Sequence, residues 1–202
     1  IAFEGFDVAL HFGTLLAIGL YFFKDWIKLI KGGYDLAIKK KKTREGKMFW
    51  YIVAATLPGG IIGLLLDKFV GDGLKQPLII ATALIVMGIV LYLVDKNAKS
   101  NVKYEQMSFK QTFLIGLSQC LAFIPGVSRS GITMTAGRAM GIERKSVAKY
   151  SFMLSAPIVL AATILKLKDF VFSIPFFVGI LASFIVGILV IKFLLNYLKK
   201  GS

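Results

Sequence analysis

The chain has 202 residues, of which 56% are apolar and 18% charged, with a mean hydropathy of +0.74 and a formal net charge of +14. Soluble domains carry about a quarter charged residues, and the long apolar blocks found here exclude disorder, a coiled coil and a collagen-like fibre. A single cysteine and a single histidine exclude a disulfide framework and a Cys/His zinc cluster. The basic residues lie between the apolar blocks, which indicates a positive-inside membrane protein rather than a nucleic-acid-binding one.

Five apolar blocks are long enough, or nearly so, to cross a bilayer. They cover about residues 6–23, 48–66, 77–94, 150–167 and 174–197, within a single polytopic domain that spans residues 1–202. The fold class expected is therefore an all-α integral membrane helix bundle. Small residues four apart, at Gly59 and Gly63 and at Gly179, Ser183 and Gly187, predict close contacts between helices.

The stretch at about residues 109–141 differs from the five blocks. Its two apolar halves, 112–124 and 131–140, are each too short for a span of roughly twenty residues, and a Pro-Gly turn separates them. Backbone broken at membrane depth persists only where it is buried in protein or lines a wet cavity. The pattern predicts a re-entrant helix–loop–helix.

The distribution of basic residues supports re-entry from the cytoplasmic face. If the segment enters and leaves on one side, almost all of the basic residues lie on one face and few on the other. The larger set comprises residues 24–47, Lys96, Lys99, Lys103, Lys110, Arg144, Lys145, Lys149, Lys192, Lys199 and Lys200, and the smaller set Lys68, Lys75, Lys166 and Lys168.

Two apolar blocks resemble each other. Residues 6–26 align without gaps over residues 150–170, and both stretches end in Lys-Asp-aromatic. By the topology above, the two blocks run in opposite directions across the membrane, as an inverted-topology repeat requires. The alignment favours an architecture of inverted repeats.

The candidate site is the sequence Pro-Gly-Val-Ser-Arg-Ser-Gly-Ile-Thr at residues 125–133. Arg129 is a permanent cation whose fork can hold two phosphate oxygens, and an arginine at membrane depth marks a function by default. A structural helix–turn–helix whose arginine pairs with a carboxylate is the alternative. A P-loop is excluded, because Ile132 stands where the lysine should be. The hydroxyl and glycine residues that surround Arg129 are Ser128, Ser130, Thr133, Gly126 and Gly131.

This motif, with Gln119-Cys-Leu-Ala before it and Ser151-Phe-Met-Leu-Ser-Ala-Pro after it, resembles the second signature of the bacterial undecaprenyl-diphosphatase family, the bacitracin-resistance type. Residues 6–17 are similar to the helix that follows the first signature of that family. The resemblance covers essentially the whole chain. It implies a multi-pass enzyme of the bacterial inner membrane that hydrolyses the C55 polyprenyl diphosphate to the monophosphate, recycles the lipid carrier of peptidoglycan synthesis and confers bacitracin resistance.

The resemblance also implies roles for residues. Arg129, Ser128 and Thr133 would be catalytic, Ser130, Gly126, Gly131 and Gln119 would line the substrate, and a divalent cation, Mg or Ca, would assist. No metal ligand is assigned within this chain, and the glutamate pair, the serine-rich loop and the histidine of the first signature do not occur in it. We therefore expect a fragment that holds half of an active site and has no activity alone. The partners expected are the lipid substrate and membrane lipids, without nucleic acid, and homo-oligomerisation is left open.

Other polar residues have structural interpretations. His11 is expected to form a hydrogen bond between helices, with a role in a cavity as the alternative, and Asp7 and Glu4 are expected to be solvated at the membrane edge. The basic run 39–44 is interpreted as a topology signal that contacts anionic lipid. Arg138 is expected at the exit of the loop rather than in the site.

A transporter or a polyprenyl-phosphate flippase is the competing hypothesis. Broken helices at mid-depth and an anion at the N-terminus of a half-helix are typical of transporters as well. The density of hydroxyl groups beside Arg129 discriminates only weakly between the two functions.

Overall fold

The computed structural model describes residues 2–66, 76–166 and 173–200, and in these ranges the chain is helical without named strands. Two short 3-10 stretches, Tyr104–Gln106 and Gln119–Phe123, interrupt the α-helices. An isolated bridge joins Val102 to Ile142. The α-helices are α1 (Ala2–Tyr21), α2 (Phe23–Ile38), α3 (Arg44–Leu66), α4 (Pro77–Asn97), α5 (Phe109–Ser118), α6 (Arg129–Ala139), α7 (Arg144–Leu165) and α8 (Ile174–Lys200).

Four helices are long and apolar enough to cross a membrane, namely α3, α4, α7 and α8, and α1 joined to α2 makes a fifth candidate if the bent pair counts as one span. The expected all-α polytopic fold is confirmed. Both α3 and α7 start several residues before the apolar blocks predicted at 48 and 150, because each helix opens with a charged turn. Lys68, Lys75, Lys168 and the end of the block at residue 167 lie outside the described residues.

Hydropathy predicts no helix between the first two apolar blocks, yet α2 fills most of that interval. It bends away from α1 by 79° at Phe22. Leu29, Gly32 and Gly33 form its buried face, and the indole N–H of Trp50 on α3 donates to the carbonyl of Gly33 at 3.2 Å. The lysines of α2 lower its mean hydropathy, so a search for apolar blocks misses this helix although its apolar residues follow a helical period.

Helices α5 and α6 form a hairpin whose two ends lie together. The side-chain amide of Gln111, in the first turn of α5, donates to the carbonyl of Met140, just after α6, at 3.4 Å. The hairpin therefore enters and leaves on the same side of the bundle. Its apex is the turn at residues 124–128, where the N–H of Val127 donates to the carbonyl of Ile124 at 3.0 Å.

Small residues allow the helices to approach closely, as their spacing predicts. On α8, Ser183 donates to the carbonyl of Leu10 at 2.6 Å and lies 2.9 Å from the hydroxyl of Thr14. A Cβ on Gly59 of α3 would meet the side chain of Gln119 at 2.9 Å. Glycines on α3 thus allow the hairpin to pack closely against α3, and small residues on α8 allow α1 to pack closely against α8.

Helix α7 is the most buried of the candidate spans and forms the centre of the core. Tyr150 is fully buried, and its hydroxyl donates to the carbonyl of Thr112 on α5 at 3.2 Å. Met153 and Leu154 pack beside it. Because α7 contacts α6 and α1, and reaches α5 through Tyr150, it fixes the position of the apex turn relative to α1.

Candidate active site

The apex turn presents the first turn of α6. Ser128 is the N-cap of α6, and its hydroxyl accepts the N–H of Gly131 at 3.2 Å. Gly126 has a φ of +90°, and a Cβ at this position would lie 2.5 Å from the carbonyl oxygen of Ile80 on α4. Glycine is therefore required at this position for two reasons, the left-handed backbone conformation and the close contact with α4. The result is a helix N-terminus held against α4 at the tip of the hairpin.

Contacts between α6 and α7 set the depth of Arg129. The two helices run antiparallel, with Gly137 against Val147 and the hydroxyls of Thr133 and Ser151 2.8 Å apart. Extending this register by one turn puts Arg129 level with Ser155. At 1.5 Å per residue, that level lies about 16 Å from the start of α7, a helix about 33 Å long. The backbone of Arg129 therefore lies near the middle of α7.

Arg129 is half-buried and lines a cavity of about 370 Å³. Among the described residues, Arg129 makes no ion pair, and its guanidinium has no hydrogen-bond partner. A cation that is partly desolvated and uncompensated attracts an anion. The other residues that line this cavity are Asp7, Val8, His11, Ile158, Val159, Ala162, Thr163 and Lys166.

Ser128 and Ser130 are not among the residues that line the cavity, but they adjoin Arg129 in the chain and remain candidates for contact with a ligand. Both are exposed, and their hydroxyl oxygens lie 3.3 Å apart. The N–H of Gly131 points at the same cap, and a Cβ on Gly131 would lie 3.1 Å from the Cβ of Ser128. Hydroxyls and N–H groups at the start of a helix, beside Arg129, are donors suited to phosphate oxygens.

Thr133, expected to be catalytic, does not line the Arg129 cavity. It is buried, and its hydroxyl is placed to donate to the carbonyls of Arg129 at 2.9 Å and Ser130 at 3.2 Å. The same oxygen is 2.8 Å from the hydroxyl of Ser151. The sequence motif suggested a ligand contact, but the tertiary partner 18 residues away engages this hydroxyl. Thr133 therefore connects α6 to α7.

Gln119, expected to line the substrate, also lies away from the cavity. Its amide N–H donates to the carbonyl of Ala55 on α3 at 2.9 Å, and only 3% of the residue is exposed. Gly59 makes room for it, as described above. The amide N–H of the glutamine thus holds this arm of the hairpin against α3, while its carbonyl oxygen has no partner among the described residues. Its role in lining the substrate stays a prediction.

His11, expected to bond between helices, instead lies on the wall of the Arg129 cavity. Its side chain is exposed, and Asp7, one helical turn earlier, lines the same cavity. The signal that could have found them is the spacing of four residues between two polar side chains on an otherwise apolar helix. His11 and Asp7 therefore join the candidate site.

Arg138 belongs to a separate, ion-paired cluster at the other end of α6. Its Nε donates to Asp95 at 2.6 Å, and Arg144 pairs with the same carboxylate at 2.9 Å. Further donors of Arg138 reach Ser100 and the carbonyl of Ile142. The cluster lies on a second cavity, of about 730 Å³, between α4, α6, α7 and α8. Arg138 closes the end of the hairpin, as the sequence suggested.

The described residues do not form a divalent-cation site by themselves. No group of three or more His, Cys, Asp or Glu side chains occurs within the described ranges. In the Arg129 cavity, Asp7 is the one carboxylate among these residues, and it lies beside a histidine and an arginine. Mg²⁺ and Ca²⁺ prefer several oxygen ligands, so this donor set does not fit either ion.

Comparisons with known proteins agree with the motif. Residues 2–202 match the family model described as Bacitracin resistance protein BacA. A protein of Pelotomaculum thermopropionicum named undecaprenyl-diphosphatase is 46% identical over 98% of this chain and 74% of its own length. Proteins with the same name from Moorella thermoacetica and Caldicellulosiruptor bescii are 42% and 44% identical, over 98% and 97% of this chain and 75% of their own lengths.

Proposed function

Because the chain belongs to the bacitracin resistance protein BacA family, we propose that it acts in the hydrolysis of undecaprenyl diphosphate to undecaprenyl phosphate and phosphate. This reaction recycles the lipid carrier of peptidoglycan synthesis and thereby confers resistance to bacitracin. The observation that carries the proposal is the unpaired guanidinium of Arg129, in a cavity beside the first turn of α6.

The diphosphate head binds at the N-terminus of α6. Arg129 holds two phosphate oxygens with its fork, and the exposed hydroxyls of Ser128 and Ser130 donate to others. The unpaired N–H groups of the first turn add positive electrostatic potential. The polyprenyl tail leaves the cavity along apolar side chains of α7, such as Ile158 and Val159, towards lipid. The site thus binds a polar head and an apolar tail together.

Hydrolysis forms one bond and breaks another. The oxygen of water attacks the terminal phosphorus, the bridging P–O bond breaks, and the bridging oxygen stays on the lipid monophosphate. Negative charge grows on the equatorial and leaving oxygens, where Arg129 and the N–H groups are already in place. His11 lines the same cavity and can donate a proton or a hydrogen bond to a phosphate oxygen.

The cavity faces the outer side of the membrane. It is lined by the first half of α1 and the last half of α7, with Lys166 at the end of α7. The positive-inside rule puts the opposite ends of these helices, next to α2 and Arg144, in the cytoplasm. The substrate therefore approaches Arg129 from the outer leaflet.

A divalent cation remains a proposal that comes from the family resemblance. The described residues supply Asp7 alone as a carboxylate in the cavity, which does not make a site for Mg²⁺ or Ca²⁺. The roles proposed for Arg129, Ser128 and Ser130 are direct contacts with phosphate oxygens.

Phosphate release from undecaprenyl diphosphate in detergent tests the proposal. Detergent removes sidedness and gradients, so a hydrolase still releases phosphate, whereas a flippase has no compartment across which to move lipid. We expect multiple turnovers by the purified intact protein, with both signatures of the family present, and loss of turnover in its Arg129→Gln variant. Lipid translocation in vesicles without phosphate release in detergent would favour the transporter hypothesis and contradict ours.

A further inference from the structure

The outward face of α2 carries a continuous stripe of large apolar side chains. Phe23, Ile27, Ile30, Tyr34 and Ile38 are each between 50% and 65% exposed. At 3.6 residues per turn, these five positions fall within an arc of about 80°. The opposite face of α2 packs on α3 through its buried leucine and glycines. The stripe is therefore a second apolar face, which the described part of the protein leaves uncovered.

Lysines border this stripe on one side. Lys24, Lys28 and Lys31 are exposed and fall in the adjoining arc of about 60°. No carboxylate lies within ion-pair distance of these three side chains among the residues with described positions. Residues 23–47 carry nine basic and three acidic side chains. The surface thus joins an apolar stripe to a strongly positive border.

The bend at Phe22 sets the orientation of the stripe. The apolar block at residues 6–23 predicts that α1 crosses the membrane. Because α2 turns from α1 by 79°, it then runs nearly parallel to the membrane surface. The ion pair of Asp25 with Lys149 on α7, at 2.7 Å, holds the start of α2 in place. An apolar face with lysines beside it, held in the plane of the membrane, matches the geometry of interfacial helices.

We propose that α2 is an interfacial helix that binds the anionic phospholipids of the cytoplasmic leaflet. Its stripe, Phe23 to Ile38, enters the boundary between headgroups and acyl chains, and Lys24, Lys28 and Lys31 contact lipid phosphates. The basic residues 39–47 extend the positive surface beyond the end of the helix. Each lysine near an anionic surface contributes favourably to the free energy of membrane binding. The α2 surface therefore prefers negative over zwitterionic headgroups.

The depth of the stripe is measured by fluorescence quenching. A probe is placed at Ile30→Cys in a Cys120→Ser background, in vesicles of phosphatidylcholine with a minority of phosphatidylglycerol, and Lys40→Cys serves as the control. We expect the probe at position 30 to be shielded from aqueous iodide and quenched best by lipids labelled near the headgroup, while position 40 stays open to iodide. Equal iodide quenching at both positions would overturn the proposal. So would strongest quenching from the bilayer centre, which indicates half of a broken span, or disulfide-linked dimers through position 30.

The selectivity for charge is measured with spin-labelled lipids. The variant Lys24→Gln/Lys28→Gln/Lys31→Gln is compared with Lys96→Gln/Lys99→Gln/Lys103→Gln, which removes three charges from the same side of the membrane. We expect the preference for phosphatidylglycerol over phosphatidylcholine to fall at least about twofold in the first variant and less in the second. An equal fall in both variants would overturn the proposal. Size-exclusion elution and phosphate release confirm that both variants fold.

Discussion

Arg129 and Arg138 lie at opposite ends of α6, and of their two guanidinium groups only that of Arg138 has ion-pair and hydrogen-bond partners within the described ranges. Arg138 is 2% exposed and shares a carboxylate with Arg144. Arg129 shares its cavity with the carboxylate of Asp7, but it forms no ion pair with any described residue. One short helix thus carries a structural arginine and a binding arginine, and variants can separate the two roles.

Arg138→Met should destabilise the protein. The substitution strands the carbonyl of Ile142 and removes one of two cations from Asp95, so we expect a loss of about 3 kcal/mol in the free energy of unfolding. Arg144→Gln is the matched control and should cost less, because the Arg144 side chain is 33% exposed. Thermal unfolding in detergent measures both variants. An Arg138→Met protein as stable as the wild type would contradict the structural role.

Thr133→Val and Ser151→Ala should have similar effects, because each breaks the same contact between hydroxyls. Inter-helix hydrogen bonds in membrane proteins contribute about 0.6 kcal/mol on average, and the double variant should lose less than the sum of the single losses. Thermal unfolding and phosphate release are measured for the two single variants and the double variant, which together form a double-mutant cycle. If Thr133→Val alone abolishes turnover while Ser151→Ala leaves it intact, Thr133 contacts the substrate directly. Its assignment as a contact between α6 and α7 alone would then be wrong.

Gly13→Ala should destabilise the packing of α1 on α8. The added Cβ would lie 2.4 Å from the carbonyl oxygen of Ile180 and 2.9 Å from the Cβ of Ser183. Such overpacking costs about 1–3 kcal/mol. Gly19→Ala on the same helix is the control, since no atom lies within 4 Å of its added Cβ. Equal melting temperatures for the two variants would mean that α1 and α8 are farther apart than described.

His11→Ala should lower kcat/KM for undecaprenyl diphosphate about tenfold, the effect of losing one good hydrogen bond to a charged phosphate. Leu16→Ala is the control on α1, because Leu16 is exposed and does not line the cavity. Phosphate release over a range of substrate concentrations measures both variants. Full activity of His11→Ala would return this histidine to a purely structural role.

Much of the architecture could be predicted from the chain. The apolar blocks reflect a bilayer that admits only long apolar helices, and the Pro-Gly break marks the hairpin for the same reason. The family named from residues 119–133 is confirmed by the family match and by the curated relatives, and with it the hydrolase class. The inverted repeat remains a prediction, resting on the alignment of residues 6–26 with 150–170.

The remaining features depend on tertiary contacts that local patterns do not contain. Thr133 and Gln119 look like binding residues in the motif, but Ser151 and Ala55, far away in sequence, engage their polar groups. His11 lines the candidate site because α7 lies beside the face of α1 that carries this histidine. The helix α2 escaped detection because its lysines lower its mean hydropathy below that of a membrane span. Hydropathy predicts how much of a segment is apolar, but the helices that pack beside it determine which of its faces is buried and which lines the site.

The rate of phosphate release by Arg129→Gln tests the central claim most directly. Arg129 places charge where it develops during diphosphate cleavage, and losing such a group lowers kcat about a hundred- to a thousandfold. Because the guanidinium has no partner among the described residues, the melting temperature should stay at the wild-type value. The account predicts a folded protein that releases almost no phosphate from undecaprenyl diphosphate. A folded Arg129→Gln protein that turns over at a near-native rate would contradict it.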